Sequence, residues 1–170
     1  QTKIMSVKGD IELYIGHFRG QLSSVREVDN ILYRKILFVS MLDCLARSAF
    51  PGKNNRDRFV SFIDRFSQWK DKDRVSCPQL KMILERENFV GGELHDIVSK
   101  RLSSWPDGRI IEPTHDYLIR DLTPFSEEEE KLLLKKRKYT ELLFTYRNHL
   151  VHEFREPGRG GGFSSESKTP

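Results

Sequence analysis

The chain has 170 residues, with 29 Lys plus Arg against 25 Asp plus Glu and a formal net charge of +4 when the histidines are neutral. That length supports a buried core without disulfides or a structural metal, so one domain is predicted over residues 1–156, and the near balance of charge permits nucleic acid as a partner while arguing against a dedicated non-specific DNA binder. Two distant cysteines, Cys44 and Cys77, without CxxC or a Cys/His cluster, argue against a zinc site or disulfide framework and point to a reducing, cytoplasmic setting, and the chain shows neither an apolar run of membrane-spanning length nor a signal-peptide pattern.

Ile11, Ile15, Phe18, Leu22 and Val25 recur at helical spacing and predict a first amphipathic helix with that stripe facing the core. Asp29 is expected to cap a second helix. Its residues Ile31, Leu32, Ile36, Leu37, Phe38, Val39, Leu42, Leu45 and Ala46 are apolar almost all round, the mark of a central helix. After Phe50-Pro51-Gly52, Asn55 is the expected cap of a helix carrying Phe59, Phe62, Ile63 and Phe66, and Lys70 to Arg74 form a charged connector.

Ser76 with Pro78 starts a further helix on Leu80, Ile83 and Leu84, which Gly91-Gly92 interrupts. Leu94, Ile97, Val98 and Leu102 supply the next stripe. Pro106, Asp107-Gly108, Pro113 and Pro124 then predict an irregular loop over about 103–125, in which Ile110-Ile111 and Tyr117-Leu118-Ile119 are candidates for short strands. Ser126, ahead of Glu127 to Glu130, is expected to cap the longest helix, running to about Phe154. Residues 157–170, rich in Gly and Ser, read as a flexible tail. The fold class predicted is all-α.

The densest chemistry lies in Tyr146-Arg147-Asn148-His149-Leu150-Val151-His152-Glu153-Phe154. On a helix with Arg147 set at zero, Asn148 falls at about 100°, His152 at about 140° and His149 at about 200°. A guanidinium that grips phosphate beside an imidazole that moves a proton near neutral pH is the equipment for RNA cleavage through the ribose 2′-hydroxyl. A solvated outer face, with His and Arg complementing the helix C-terminus, accounts for the same residues without chemistry. Leu134 and Phe144 also fall off the core stripe, at about 140° and 60°, where a dimer interface would cover them.

Arg147-Asn148-His149-Leu150-Val151-His152, in the R-N-x-x-x-H form and late in the final helix, resembles the motif of the HEPN superfamily, small all-α bundles whose active members are RNases. The resemblance extends over the motif, the long last helix and the apolar helical segments before it, most of residues 10 to 155. It implies a metal-independent endoribonuclease without a cofactor, with RNA as substrate, acting as a homodimer through the motif helix, in a toxin–antitoxin or phage-defence setting. It further implies that Arg147 holds the scissile phosphate, that His152 is general base or acid, and that Asn148 orients the ring or the phosphate, with His149 a substrate contact. In HEPN toxins paired with a nucleotidyltransferase antitoxin the motif often continues His-x-Tyr. Here Glu153-Phe154 follows, so neutralisation at that tyrosine is not implied. The resemblance also covers members that serve as non-catalytic protein- or nucleotide-binding and assembly modules.

Asp43 and Arg47, four residues apart, suit an intrahelical ion pair; an Asp43 that instead faced the last helix would orient Arg147 or His152. His95-Asp96 and His115-Asp116 echo metal-phosphohydrolase pairs but lack the further His and Asp of such a site. The basic run Lys131, Lys135, Lys136, Arg137 and Lys138 follows four glutamates and reads first as a paired, solvated face, with RNA contact as the sharper option. Lys53, Arg56 and Arg58, near a helix start, suit phosphate binding.

Overall fold

The structure is a computed structural model that describes residues 7–105 and 112–154; the Gly/Ser-rich tail, Ile110-Ile111 and the turn at Pro106 to Gly108 lie outside them. The described chain is mostly helical, with one two-stranded sheet. Its helices are α1 (Val7–Arg26), α2 (Ile31–Ala49), α3 (Asn55–Phe66), α4 (Cys77–Arg86), α5 (Glu93–Ser103), the single turn α6 (Ile119–Leu122), α7 (Glu128–Lys136) and α8 (Tyr139–Glu153). Strands β1 (Arg74–Val75) and β2 (Tyr117–Leu118) pair antiparallel, Arg74 opposite Leu118 and Val75 opposite Tyr117. These elements form two compact units, residues 7–44 with 146–154 and residues 45–105 with 112–145, so α2 and α8 each supply residues to both.

The unit of residues 45–145 is built on a dry apolar cluster. Leu80, Ile83 and Leu84 of α4, Leu94 and Val98 of α5, Leu122 of α6, and Leu133 and Leu134 of α7 are all buried in it, with Val75 and Cys77. Phe59 of α3 is fully buried against the Phe144 ring of α8, 5.7 Å between centroids. Asp116 joins the loop to this unit: its Oδ1 accepts from the Cys77 backbone N–H at 2.9 Å, and its Oδ2 accepts from the Tyr139 hydroxyl at 2.6 Å. The carboxylate therefore caps α4 from a distance, a use for the His115-Asp116 pair that needs no metal.

Three caps sit one residue from their expected places. Asn30, not Asp29, caps α2 by accepting from the N–H groups of Leu32 and Tyr33, and Asn54, not Asn55, caps α3 by accepting from Asp57. Ser126 turns back to donate to the Leu122 carbonyl, while Glu127 stands at the N-cap of α7 and Glu130 Oε2 accepts from its backbone N–H at 2.9 Å. Glu130 is 4% exposed, so Glu130→Ala removes a charge-assisted bond from a dry helix start. Urea unfolding is expected to show a loss of about 1–2 kcal/mol.

The predicted long final helix is two helices. Between α7 and α8 the chain leaves helical geometry to meet the strand: Val75 bridges Lys138, Ser76 N–H donates to the Arg137 carbonyl at 3.1 Å, and the Lys138 ammonium lies 2.9 Å from both Asp64 and Asp73. Burial opposes the Lys138 charge, but the two carboxylates more than offset it and hold its pKa above the usual lysine range. The break resets the helical phase. Leu134, expected on an outer arc, is 1% exposed, and Leu132, expected in the core, is 59% exposed.

In the other unit the expected burial of α1 is largely absent: Ile11 and Ile15 are exposed and Val25 alone in that helix is buried. Helix α2 is likewise two-faced rather than buried all round, with Ile31, Tyr33 and Leu37 exposed and Val39 and Asp43 buried. Phe154 takes a left-handed φ of 51°, which ends α8 one residue after the motif.

The two thiols differ in environment. Cys77 is fully buried and its pKa is pushed up from 9.0 to about 12, mainly by loss of solvent, whereas Cys44 is exposed. A thiol reagent at neutral pH is expected to modify Cys44 in the folded protein and Cys77 only on unfolding. Because the Cys77 thiol ionises more readily in the unfolded chain, its contribution to stability is whole below pH 9 and drains away as pH climbs toward about 12.

Candidate active site

Arg147, Asn148, His149 and His152 all lie on the last two turns of α8, in the same unit as Asp43 of α2. Asp43 does not pair with Arg47, which is exposed. Its Oδ2 instead accepts from Arg147 Nη2 at 3.0 Å, and the side chains of this pair are only 10% and 11% exposed. Of the two placements the sequence leaves open for Asp43, the one facing the last helix is observed. Asp43 is reachable because α2 turns its Val39–Asp43 face inward, a fact that intrahelical spacing does not report.

Arg147 is the hub. Its Nη1 donates to Asn148 Oδ1 at 2.8 Å and lies 3.4 Å from His152 Nε2. An arginine N–H can only donate, so a neutral His152 would meet it with the Nε2 lone pair and carry its own proton on Nδ1. Thus one guanidinium touches a carboxylate, an amide and an imidazole. The solvated-face reading fails for Arg147, whose side chain is nearly buried, and holds for His152 in the literal sense that it is exposed. Asn148 is half-buried rather than open to water.

His149 faces a carboxylate of its own helix. Its Nδ1 faces Glu153 Oε1 at 2.8 Å, one turn further along α8. Glu153 is not one of the motif residues, and its i, i+4 spacing from His149 is the signal for it in the sequence. The Asp43 carboxylate carries a second polar demand, since its Oδ1 is buried with no hydrogen-bond partner.

The other candidates resolve into structural roles. Arg56 is held by Glu141 at 2.7 Å, Lys53 donates to the Ser61 hydroxyl at 2.8 Å, and Arg58 is buried, so these three do not form an open phosphate cradle. Lys131 pairs with Glu128 within α7, as a paired face predicts. His95 sits near Glu85 and Asp96, and His115 Nδ1 lies 3.3 Å from the Glu112 carbonyl oxygen; among the described residues no three His, Cys, Asp or Glu side chains are grouped to hold a metal. Leu134 is buried and Phe144 is half-buried against Phe59 within their own unit. No described helix is long and apolar enough to cross a membrane.

Comparison of the chain with models of protein families, with curated proteins and with solved structures returns no match.

Proposed function

We propose that this chain is a HEPN-type endoribonuclease that cleaves RNA by transesterification through the ribose 2′-hydroxyl, without a metal ion, as a toxin or phage-defence effector. The observation that carries the reading is the Arg147 hub. A buried carboxylate fixes the guanidinium, and the same guanidinium reaches Asn148 and His152 on the exposed side of α8. The scissile phosphate would take a charge-assisted bond from the Arg147 guanidinium in place of its long 3.4 Å contact with His152, leaving the Nε2 lone pair of His152 to face the 2′-hydroxyl. His152 Nε2 then takes the proton of the 2′-hydroxyl, and Arg147 stabilises charge that develops on the phosphoryl oxygens. Asn148 and Asp43 position the guanidinium and do not touch the reacting atoms. The homodimer belongs to this proposal on the strength of the motif resemblance alone.

The test is purified protein incubated with several RNAs in EDTA, with Arg147→Lys and His152→Ala alongside. The expected products end in 2′,3′-cyclic phosphate and 5′-hydroxyl, and Arg147→Lys, which keeps the charge but not the planar fork, lowers their yield. Cleavage that survives both substitutions removes the site. If no RNA is cut by any sample, the non-catalytic binding or assembly module becomes the better reading.

A further inference from the structure

Cleavage through a 2′-hydroxyl needs two proton transfers, one away from O2′ and one toward O5′, and within one protomer the imidazole beside Arg147 supplies only the first. We propose that His149 is the general acid of the same protomer and that Glu153 is its positioning residue, so that one copy of α8 carries both proton-transfer groups. This rests on the ribonuclease reading. His149 and His152 are three residues apart, which makes them neighbours on one helical face, and Glu153 is the i+4 partner of His149. The two imidazoles have opposite hydrogen-bond surroundings. Arg147 Nη1 is aimed at His152 Nε2, so that nitrogen is set up to accept. His149 Nδ1 faces a carboxylate oxygen at 2.8 Å and must donate, so Glu153 fixes the ring with Nε2 as the nitrogen that meets the leaving group.

The step balances without a co-reactant. His152, neutral at the start, takes the 2′-hydroxyl proton on Nε2 as O2′ forms its bond to phosphorus, the P–O5′ bond breaks with its electron pair on O5′, and His149, an imidazolium at the start with its Nδ1–H held by Glu153, delivers its Nε2 proton there. The products are a 2′,3′-cyclic phosphate and a 5′-hydroxyl, and the two imidazoles end with their protonation states exchanged. His149 and Glu153 side chains are 27% and 44% exposed, open enough for a leaving oxygen to approach. The proposal differs from a substrate contact at His149 in one respect that chemistry can read. A general acid matters in proportion to how poor the leaving group is.

The experiment compares cleavage of an ordinary RNA dinucleotide step with the same step carrying a 5′-bridging sulfur, a leaving group that departs without protonation. His149→Ala is expected to lose about 10²-fold or more on the oxygen substrate and to regain most of the unaltered protein's rate on the sulfur substrate. Glu153→Gln loses less, with the same selectivity, and nitrogen-15 spectra show its His149 Nδ1 proton exchanging faster. His152→Ala is slow on both. Equal losses on the two substrates for His149→Ala and Glu153→Gln would mean a structural or binding role and overturn the proposal, as would no loss on either, and both results leave the ribonuclease reading standing. Failure of the unaltered protein to cleave either substrate overturns the two together. Glu153→Gln changes a surface side chain, so its folding, checked by thermal melting, keeps the test available should His149→Ala prove unstable.

Discussion

Arg147→Ala is expected to destabilise the protein by about 3–5 kcal/mol, because it strands the Asp43 carboxylate in a nearly dry site. Asp43 Oδ2 loses its partner at 3.0 Å, and Oδ1 has no partner to begin with. For a chain of this size such a loss lowers the melting temperature by roughly 6–20 °C. Removing both charges together tests the cause. Asp43→Leu with Arg147→Met replaces the pair by apolar groups of similar bulk and is expected to recover most of the stability, since the cost lies in the uncompensated charge rather than in the missing attraction. A drop below about 1 kcal/mol for Arg147→Ala, as for an exposed pair, would show that water reaches the site. This result also governs how activity is read. A dead Arg147→Ala is ambiguous between lost chemistry and lost fold, which is why Arg147→Lys is the informative substitution for catalysis.

His152→Ala separates the two effects in the opposite direction. The side chain is exposed and, among the described residues, its hydrogen-bonding contact is the long one to Arg147, so stability should stay within about 0.5 kcal/mol of the unaltered protein. RNA cleavage, in contrast, is expected to fall by about 10²- to 10⁴-fold, the usual worth of a positioned proton-transfer group. Single-turnover rates on a labelled RNA, with melting curves on the same samples, measure both. A His152→Ala protein that cuts RNA at an undiminished rate would refute the role given to that imidazole.

The two substitutions read different layers of one site. Arg147 is structural through Asp43 and, in the proposed function, chemical through its outer edge, while His152 enters through the proposed chemistry alone. That division follows from where α8 lies: the Leu150 side is buried, the His152 side is open, and Arg147 sits on the boundary. A boundary position lets a guanidinium be fixed from behind by a carboxylate and still present N–H groups outward, which is the arrangement that preorganised charge stabilisation requires.

What the order of residues determined by itself was local. Apolar spacing located α1 to α5 and the helical character of residues 128–153, though as one helix rather than two, because a 3.6-residue period needs no knowledge of the partner, and the Arg147 to His152 spacing placed those groups on the last turns of α8. The three caps of α2, α3 and α7 lie one residue from their expected places, since several adjacent side chains, Asp29 beside Asn30, Asn54 beside Asn55, Ser126 beside Glu127, can serve as acceptors and only the path of the incoming chain selects between them. Tertiary structure decided everything that depends on a distant partner. The break at Arg137-Lys138 exists because β1 claims that backbone, and no helical pattern in residues 126–154 announces it; once it is there, Leu134 and Leu132 trade places relative to a continuous wheel. The exposed stripe of α1 and the choice of Arg147 over Arg47 by Asp43 have the same origin: periodicity states which face is apolar or charged, whereas burial and ion pairing are settled by what another segment, a hundred residues away, brings against that face.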